Sequence, residues 1–399
     1  MIMKNTTSTP VIYLILLVCI SILYFFKRGT NHEQIITEEV KQYYGYLPAK
    51  IIFNDLQMNK SSYRYSEMGY YFSLTGTKQG KSIFKKNCGW SILYAPFFFP
   101  AHEIAKNFEF QPNGFSEPYL IFLLIGSLFY FYLGLSCIQY LLRRFHYSEY
   151  TIGITLIVLS LATNLLWYAT KYSPLVNISQ FSMVSVFAFS YFKLRGSPNS
   201  KNYFLLGLSL GILSWVSSIL ALVFGLFVLI GQFNVTKIKG SFLNLLLVIF
   251  PVVLLWIPQV LYWKITTNHF SIPSFPSNDF SLDIYKIWSG LFDLQNGWLI
   301  NSPILIIALV GIFLLKNELK KYRLTLMVIL ILFFLFNISV STNINSTNSG
   351  QSGMIALYPL LAVPLASILQ KYLYANNWTK FAIYSMFLIF IFINVYSFN

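Results

Sequence analysis

Apolar runs of membrane-spanning length alternate with short polar gaps along most of this chain. A helix needs about 20 apolar residues to cross about 30 Å of hydrocarbon. The first run is Pro10–Phe26, followed by Lys27 and Arg28 with no small-residue cleavage site, so it reads as a retained anchor rather than a removed signal peptide. Further runs lie near 119–142, 151–170, 175–192, 241–263, 302–315, 324–341, 354–370 and 381–397. The stretch 203–233 carries no charge over its whole length and would make a helix of about 46 Å, too long for one simple crossing. The pair Ser217–Ser218 predicts a hairpin there between two short helices. The expected fold is an all-α polytopic membrane protein with about 11 transmembrane helices.

The basic residues orient this layout. The gaps 143–150, 193–202, 234–240, 316–323 and 371–380 hold 13 Lys and Arg, whereas 171–174, 264–301 and 342–353 hold 3. The positive-inside rule places the first set in the cytoplasm and requires 203–233 to cross an even number of times. Five segments follow. Residues 1–26 form a cytoplasmic N-terminus and first anchor, and 27–118 a first extracytoplasmic loop holding the candidate active site. A transmembrane bundle spans 119–263, a second large outer loop 264–301, and C-terminal transmembrane helices 302–399.

Composition agrees. Hydrophobic residues make up 56% of the chain and charged residues 10%, against about 25% charged in a soluble globular protein. The net charge of +15 invites a nucleic-acid reading, but the basic residues sit in gaps between apolar runs, which is a topology signal and not a phosphate-binding face. No nucleic-acid partner is expected. Cys19, Cys88 and Cys137 are too few and too scattered for a disulfide framework or a zinc site. No ionisable residue falls inside an expected span, which weakens an ion-coupled transporter reading. Eight of the 13 acidic residues lie in 27–118.

That first outer segment is too long for a mere connector. It contains two apolar-aromatic stretches too short to span, Tyr43–Leu56 and Ser91–Ala105, each interrupted by proline. They read as two helices lying in the membrane interface, or as braces for the bundle.

The order of motifs around them is informative. Glu39-Val40-Lys41-Gln42-Tyr43-Tyr44-Gly45-Tyr46-Leu47-Pro48-Ala49 is followed by Asp55, then by GWSILYAPFFFPAH at 89–102 and NGFSEPY at 113–119. Later come GWLINSPILIIALVG at 297–311 and SGMIALYPLLAVPL at 352–365. This series resembles a bacterial branch of the GT-C glycosyltransferases, multi-pass enzymes of the protein-mannosyltransferase superfamily. The resemblance implies a GT-C-like first outer loop with two interfacial helices, and sugar transfer from a polyprenyl-phosphate-linked donor. The acceptor would be a glycan, lipid or protein hydroxyl at the extracytoplasmic face of the bacterial inner (cytoplasmic) membrane. Two departures stand out. The family carries Asp where this chain has Glu39, and its Trp and Arg residues before the penultimate span are missing from 341–353.

Such chemistry needs a carboxylate to take the acceptor proton and positive charge for the departing phosphate. Glu39 is the base candidate, with Glu38 the neighbour that takes the role if the register slips by one; otherwise both are acids at a helix start, where the dipole favours them. Tyr43, Tyr44 and Asp55 are candidate substrate contacts, as are Arg64, Lys85, Lys86 and His102. The basic members suit a phosphate, or else anionic headgroups. Asp55, Glu67 and His102 are the candidates for holding a divalent cation, Mg2+ or Mn2+; otherwise they cap helices and hydrogen-bond locally. Asp279 and Asp283, four apart, precede an amphipathic run at Ile284–Phe292. Membrane lipids are expected partners. The competing readings are an O-antigen polymerase- or ligase-like enzyme, a non-catalytic lipid-glycan transporter, and a degenerate scaffold.

Overall fold

The computed structural model describes residues 35–56, 72, 75–76, 82–84, 86–170, 176–232, 238–270, 283–294, 296–340 and 351–397. The expected first anchor and the candidates Arg64, Glu67, Lys85 and Asp279 lie outside these residues, as do the side chain of Glu38 and most of the region without Trp and Arg. The described chain is that of an all-helical membrane protein. Its strands are a two-residue antiparallel pair, β1 (Thr75–Gly76) with β2 (Ser82–Ile83).

Two short helices come first, α1 (Glu38–Tyr44) and α2 (Tyr46–Ile51), then α3 (Gly89–Asn107). The bundle follows as α4 (Glu117–Arg144), α5 (Glu149–Leu161), α6 (Leu165–Thr170), α7 (Val176–Gly196), α8 (Ser200–Val216), α9 (Ser218–Gln232) and α10 (Ile238–Thr267). The last third contains α11 (Ile284–Phe292), α12 (Trp298–Asn301), α13 (Ile304–Leu314), α14 (Arg323–Val340), α15 (Tyr358–Leu373) and α16 (Asn377–Ser397). Among the described residues, 5 helical stretches are long and apolar enough to cross a membrane: Glu117–Arg144, Phe242–Thr267, Asn317–Ser339, Ser352–Leu373 and Asn377–Asn394. Their outer surfaces carry bare apolar side chains such as Phe129, Phe250, Leu332 and Phe392, as lipid-facing helices do.

The uncharged stretch 203–233 does turn back on itself. Ser217 leaves the helical conformation (φ −154°, ψ 104°), and Gly225 of α9 then returns to face Leu210 of α8. α10 runs alongside α8 at very close range. A Cβ on Gly207 would lie 2.3 Å from the Val248 carbonyl, so only glycine permits this approach.

Two elements depart from the sequence reading. The run 151–170 is not one helix. It breaks at Ala162–Asn164 between α5 and α6. Asn164 is buried there, accepting from Tyr358 Oη at 2.7 Å, while the Ala162 carbonyl accepts from Asn394 Nδ2 at 3.1 Å. The Ala162 bond, and the one that Asn164 N donates to Ser302 Oγ at 3.3 Å, replace backbone bonds the break removes, which is the condition for interrupting a helix inside a membrane bundle. The second departure is the stretch 43–56, which is not one helix but is divided between α1, ending at Tyr44, and α2, ending at Ile51. The stretch 91–105 is a helix as read, α3, running 19 residues through Pro96 and Pro100. Burial of Trp90, Tyr94, Phe98 and Ala101 on one face outweighs the local cost of the prolines.

Most of the basic gaps gather at one end of the bundle. Arg143 pairs with Glu149 at 2.8 Å, and Tyr374 Oη donates to Ser148 Oγ at 2.8 Å. The Arg144 guanidinium lies against Gly196, and Phe192 meets Tyr322 with ring centres 5.6 Å apart. α1, α2 and the start of α3 sit at the other end. They meet the first turn of α7 through Trp90 Nε1, which donates to Ser179 Oγ at 2.7 Å, and the last turns of α10 through Cys88 N, which donates to Gln259 Oε1 at 2.6 Å.

Candidate active site

The site is built from α1 and the segment just before α3. Thr37 starts α1, its hydroxyl accepting from Val40 N at 3.4 Å. Glu39 follows in the first turn and is half-buried, with Tyr43 one turn later on the same face. Lys86 is brought to this face from the other segment. Its ammonium lies 5.5 Å from the centre of the Tyr43 ring.

Three anchors hold Lys86 in place. Its own carbonyl accepts from Tyr46 Oη at 2.6 Å. Phe84 N donates to Tyr262 Oη at 3.1 Å, and Cys88 N is tied to Gln259. The Tyr46 ring packs on Phe84 at 4.4 Å and edge-on to Tyr262 at 5.1 Å. Beneath Tyr43, Trp90 stacks on Tyr94 with ring centres 5.5 Å apart, and the Ser91 hydroxyl donates to the Tyr43 carbonyl. Tyr44 is buried among Tyr94, Phe98 and Phe115 and donates to the Gly114 carbonyl at 2.6 Å. Gly114 has φ +91° and would press a Cβ to 2.7 Å from Pro48, so glycine is required on both counts.

The electrostatics follow from this packing. Burial raises the Glu39 carboxyl above its ordinary value of 4.5, because the charged form loses water, and the Lys86 charge opposes that rise. Burial likewise raises the Tyr43 phenol, again opposed by Lys86. Lys86 itself is raised, first by Tyr43 and then by Glu39, with burial pulling the other way. The result is one proton acceptor of raised basicity beside one firmly held cation.

The remaining candidates divide. Tyr44 belongs to the aromatic support under the site and not to its surface. Asp55 is buried just past α2, its backbone N–H donating to the Ala49 carbonyl at 2.9 Å. His102 is buried in α3, its Nδ1 2.5 Å from Tyr119 Oη and its ring stacked on Phe98, and burial lowers its pKa. Among the described residues no three His, Cys, Asp or Glu side chains come together, and the third metal candidate, Glu67, lies outside them. Asp283 caps α11, accepting from Tyr285 N at 3.4 Å. The partners that the sequence reading did not single out are Trp90, Ser179, Gln259 and Tyr262. Their one sequence signal is that aromatic and amide residues sit at the ends of apolar runs.

Comparison with protein-family models, with curated proteins and with solved structures finds no match to this chain.

Proposed function

We propose that this chain is a GT-C-type glycosyltransferase of the bacterial inner membrane, crossing the bilayer eleven times, with α1 and α3 at the extracytoplasmic face. The observation that carries this reading is the pairing of a carboxyl of raised pKa, Glu39, with an anchored cation, Lys86, at the bundle end opposite most of the basic gaps. The positive-inside rule makes the basic end cytoplasmic and the Glu39 end external.

In this reading the oxygen of an acceptor hydroxyl attacks the anomeric carbon of a polyprenyl-phosphate-linked sugar. The bond from that carbon to the phosphate oxygen breaks, and the polyprenyl phosphate leaves as an anion. Glu39 takes the hydroxyl proton, and its raised pKa suits a base working near neutral pH. Lys86 supplies positive charge near the departing phosphate, and Tyr43 fixes the ammonium in place. The missing Trp and Arg around 341–353 favour a second reading, a non-catalytic relative that scaffolds a partner. The test that separates them is complementation of a deletion strain with wild type, Glu39→Gln or Glu39→Ala at matched protein level. The enzyme reading expects an altered surface glycan with both variants. A scaffold restores the wild-type glycan with either.

A further inference from the structure

Helix α11 is amphipathic in an unusual way. One face, with Ile287, Gly290 and Leu291, packs inward. A Cβ on Gly290 would lie 2.9 Å from Ile338 Cδ1 and 3.5 Å from Gln351 Nε2. The adjoining face is also apolar, yet bare: Ile284 is 82% exposed and Trp288 66%, with Tyr285 and Phe292 beside them. Trp288 and Phe292 hold each other, ring centres 4.7 Å apart.

The position of α11 says what covers this face. Ile338 lies in the last turn of α14, a helix within one of the membrane-crossing stretches, and Gln351 lies just before the turn that leads into α15. α11 therefore sits at the level where these spans leave the hydrocarbon. It sits on the rim of the bundle and not over its centre, because α14 shows Val328, Ile331 and Leu332 to the surroundings. The bare face of α11 continues that lipid-facing belt at its end. Trp and Tyr are the side chains that favour the headgroup layer, and the helix ends are marked by Asp283 and Asp293, which cap it.

We propose that α11 is an interfacial anchor whose Ile284–Tyr285–Trp288–Phe292 face lies in the headgroup layer of the outer leaflet and fixes the second outer loop to the membrane. The choice of leaflet rests on the topology proposed above, while the anchor itself depends only on the chain being a membrane protein and not on its chemistry.

Nitroxide labels at Trp288→Cys and Ile284→Cys test it. The host is the full chain with Cys19, Cys88 and Cys137 replaced by Ala, in phosphatidylethanolamine–phosphatidylglycerol vesicles. Oxygen, which partitions into lipid, should relax both labels more strongly than a water-soluble nickel chelate, giving a positive depth value. Leu291→Cys, on the packed face, should be shielded from both reagents. Two results overturn the proposal. Stronger relaxation by the nickel chelate at 284 and 288 would place the face in water. Exclusion of both reagents there would mean that protein, a second copy or a partner, covers it. The two label positions are independent, so loss of folding in one variant leaves the other to decide.

Discussion

Lys86 and Tyr43 meet across two segments of the chain, the ammonium 5.5 Å from the tyrosine ring centre. The charge so fixed lowers a carboxyl, that of Glu39, which burial is pushing up. Removing it should have a definite sign. In Lys86→Met the opposing charge is gone, so the Glu39 carboxyl rises further. A base must be ionised to accept a proton, so the acid limb of the pH–rate profile should move to higher pH. An unmoved limb with reduced turnover would mean that Lys86 serves the phosphate without tuning Glu39.

Stability tells catalytic from structural use of Glu39. Its folded pKa lies above the unfolded value, so folding is disfavoured by its ionisation. That penalty is absent below the ordinary carboxylate range and develops as pH rises through it toward the folded pKa. Glu39→Gln removes the penalty and leaves Lys86 its place beside the Tyr43 ring. The melting temperature in detergent at neutral pH should equal or exceed that of wild type, and the two should converge at low pH. A clear drop at neutral pH would make Glu39 a structural ion-pair partner instead.

Helix packing offers a third check. Gly311 lies so close to α15 that a Cβ would fall 2.3 Å from the Pro364 carbonyl, a rigid neighbour. Gly311→Ala should therefore cost about 1–3 kcal/mol, as overpacking does, and lower thermal stability while leaving the pH profile in place. Tolerance of alanine there would show that α13 and α15 sit farther apart.

His102 is assigned to the supporting structure through Tyr119. Tyr119→Phe removes the partner of Nδ1 and should cost about 1 kcal/mol. The surface glycan should not change in composition at matched protein level. A change in glycan from this variant would bring His102 back as a substrate contact.

Much of the bundle was legible because lipid enforces simple rules. Runs at 119–142 and 175–192 became α4 and α7 with ends shifted by a few residues, and Ser217 marks the turn that the charge-free length required. The break at Ala162–Asn164 was hidden because its backbone partners are Ser302 and Asn394, far along the chain and themselves inside apolar runs. Periodicity reports the environment of a face, not such distant partners. At the site, Glu39, Tyr43 and Lys86 could each be picked out from residue type and place. Their meeting could not, because it depends on Gln259 and Tyr262 holding the segment of Lys86 from 171 and 178 residues away.

The most direct measurement is of the lipid-linked donor. Lipids extracted from cells carrying only Glu39→Gln and analysed by mass spectrometry should contain accumulated polyprenyl-phosphate sugar at the level of the deletion strain, with wild type restoring it to baseline. A baseline level in Glu39→Gln, at wild-type protein abundance and against a deletion strain that accumulates donor, would contradict the account.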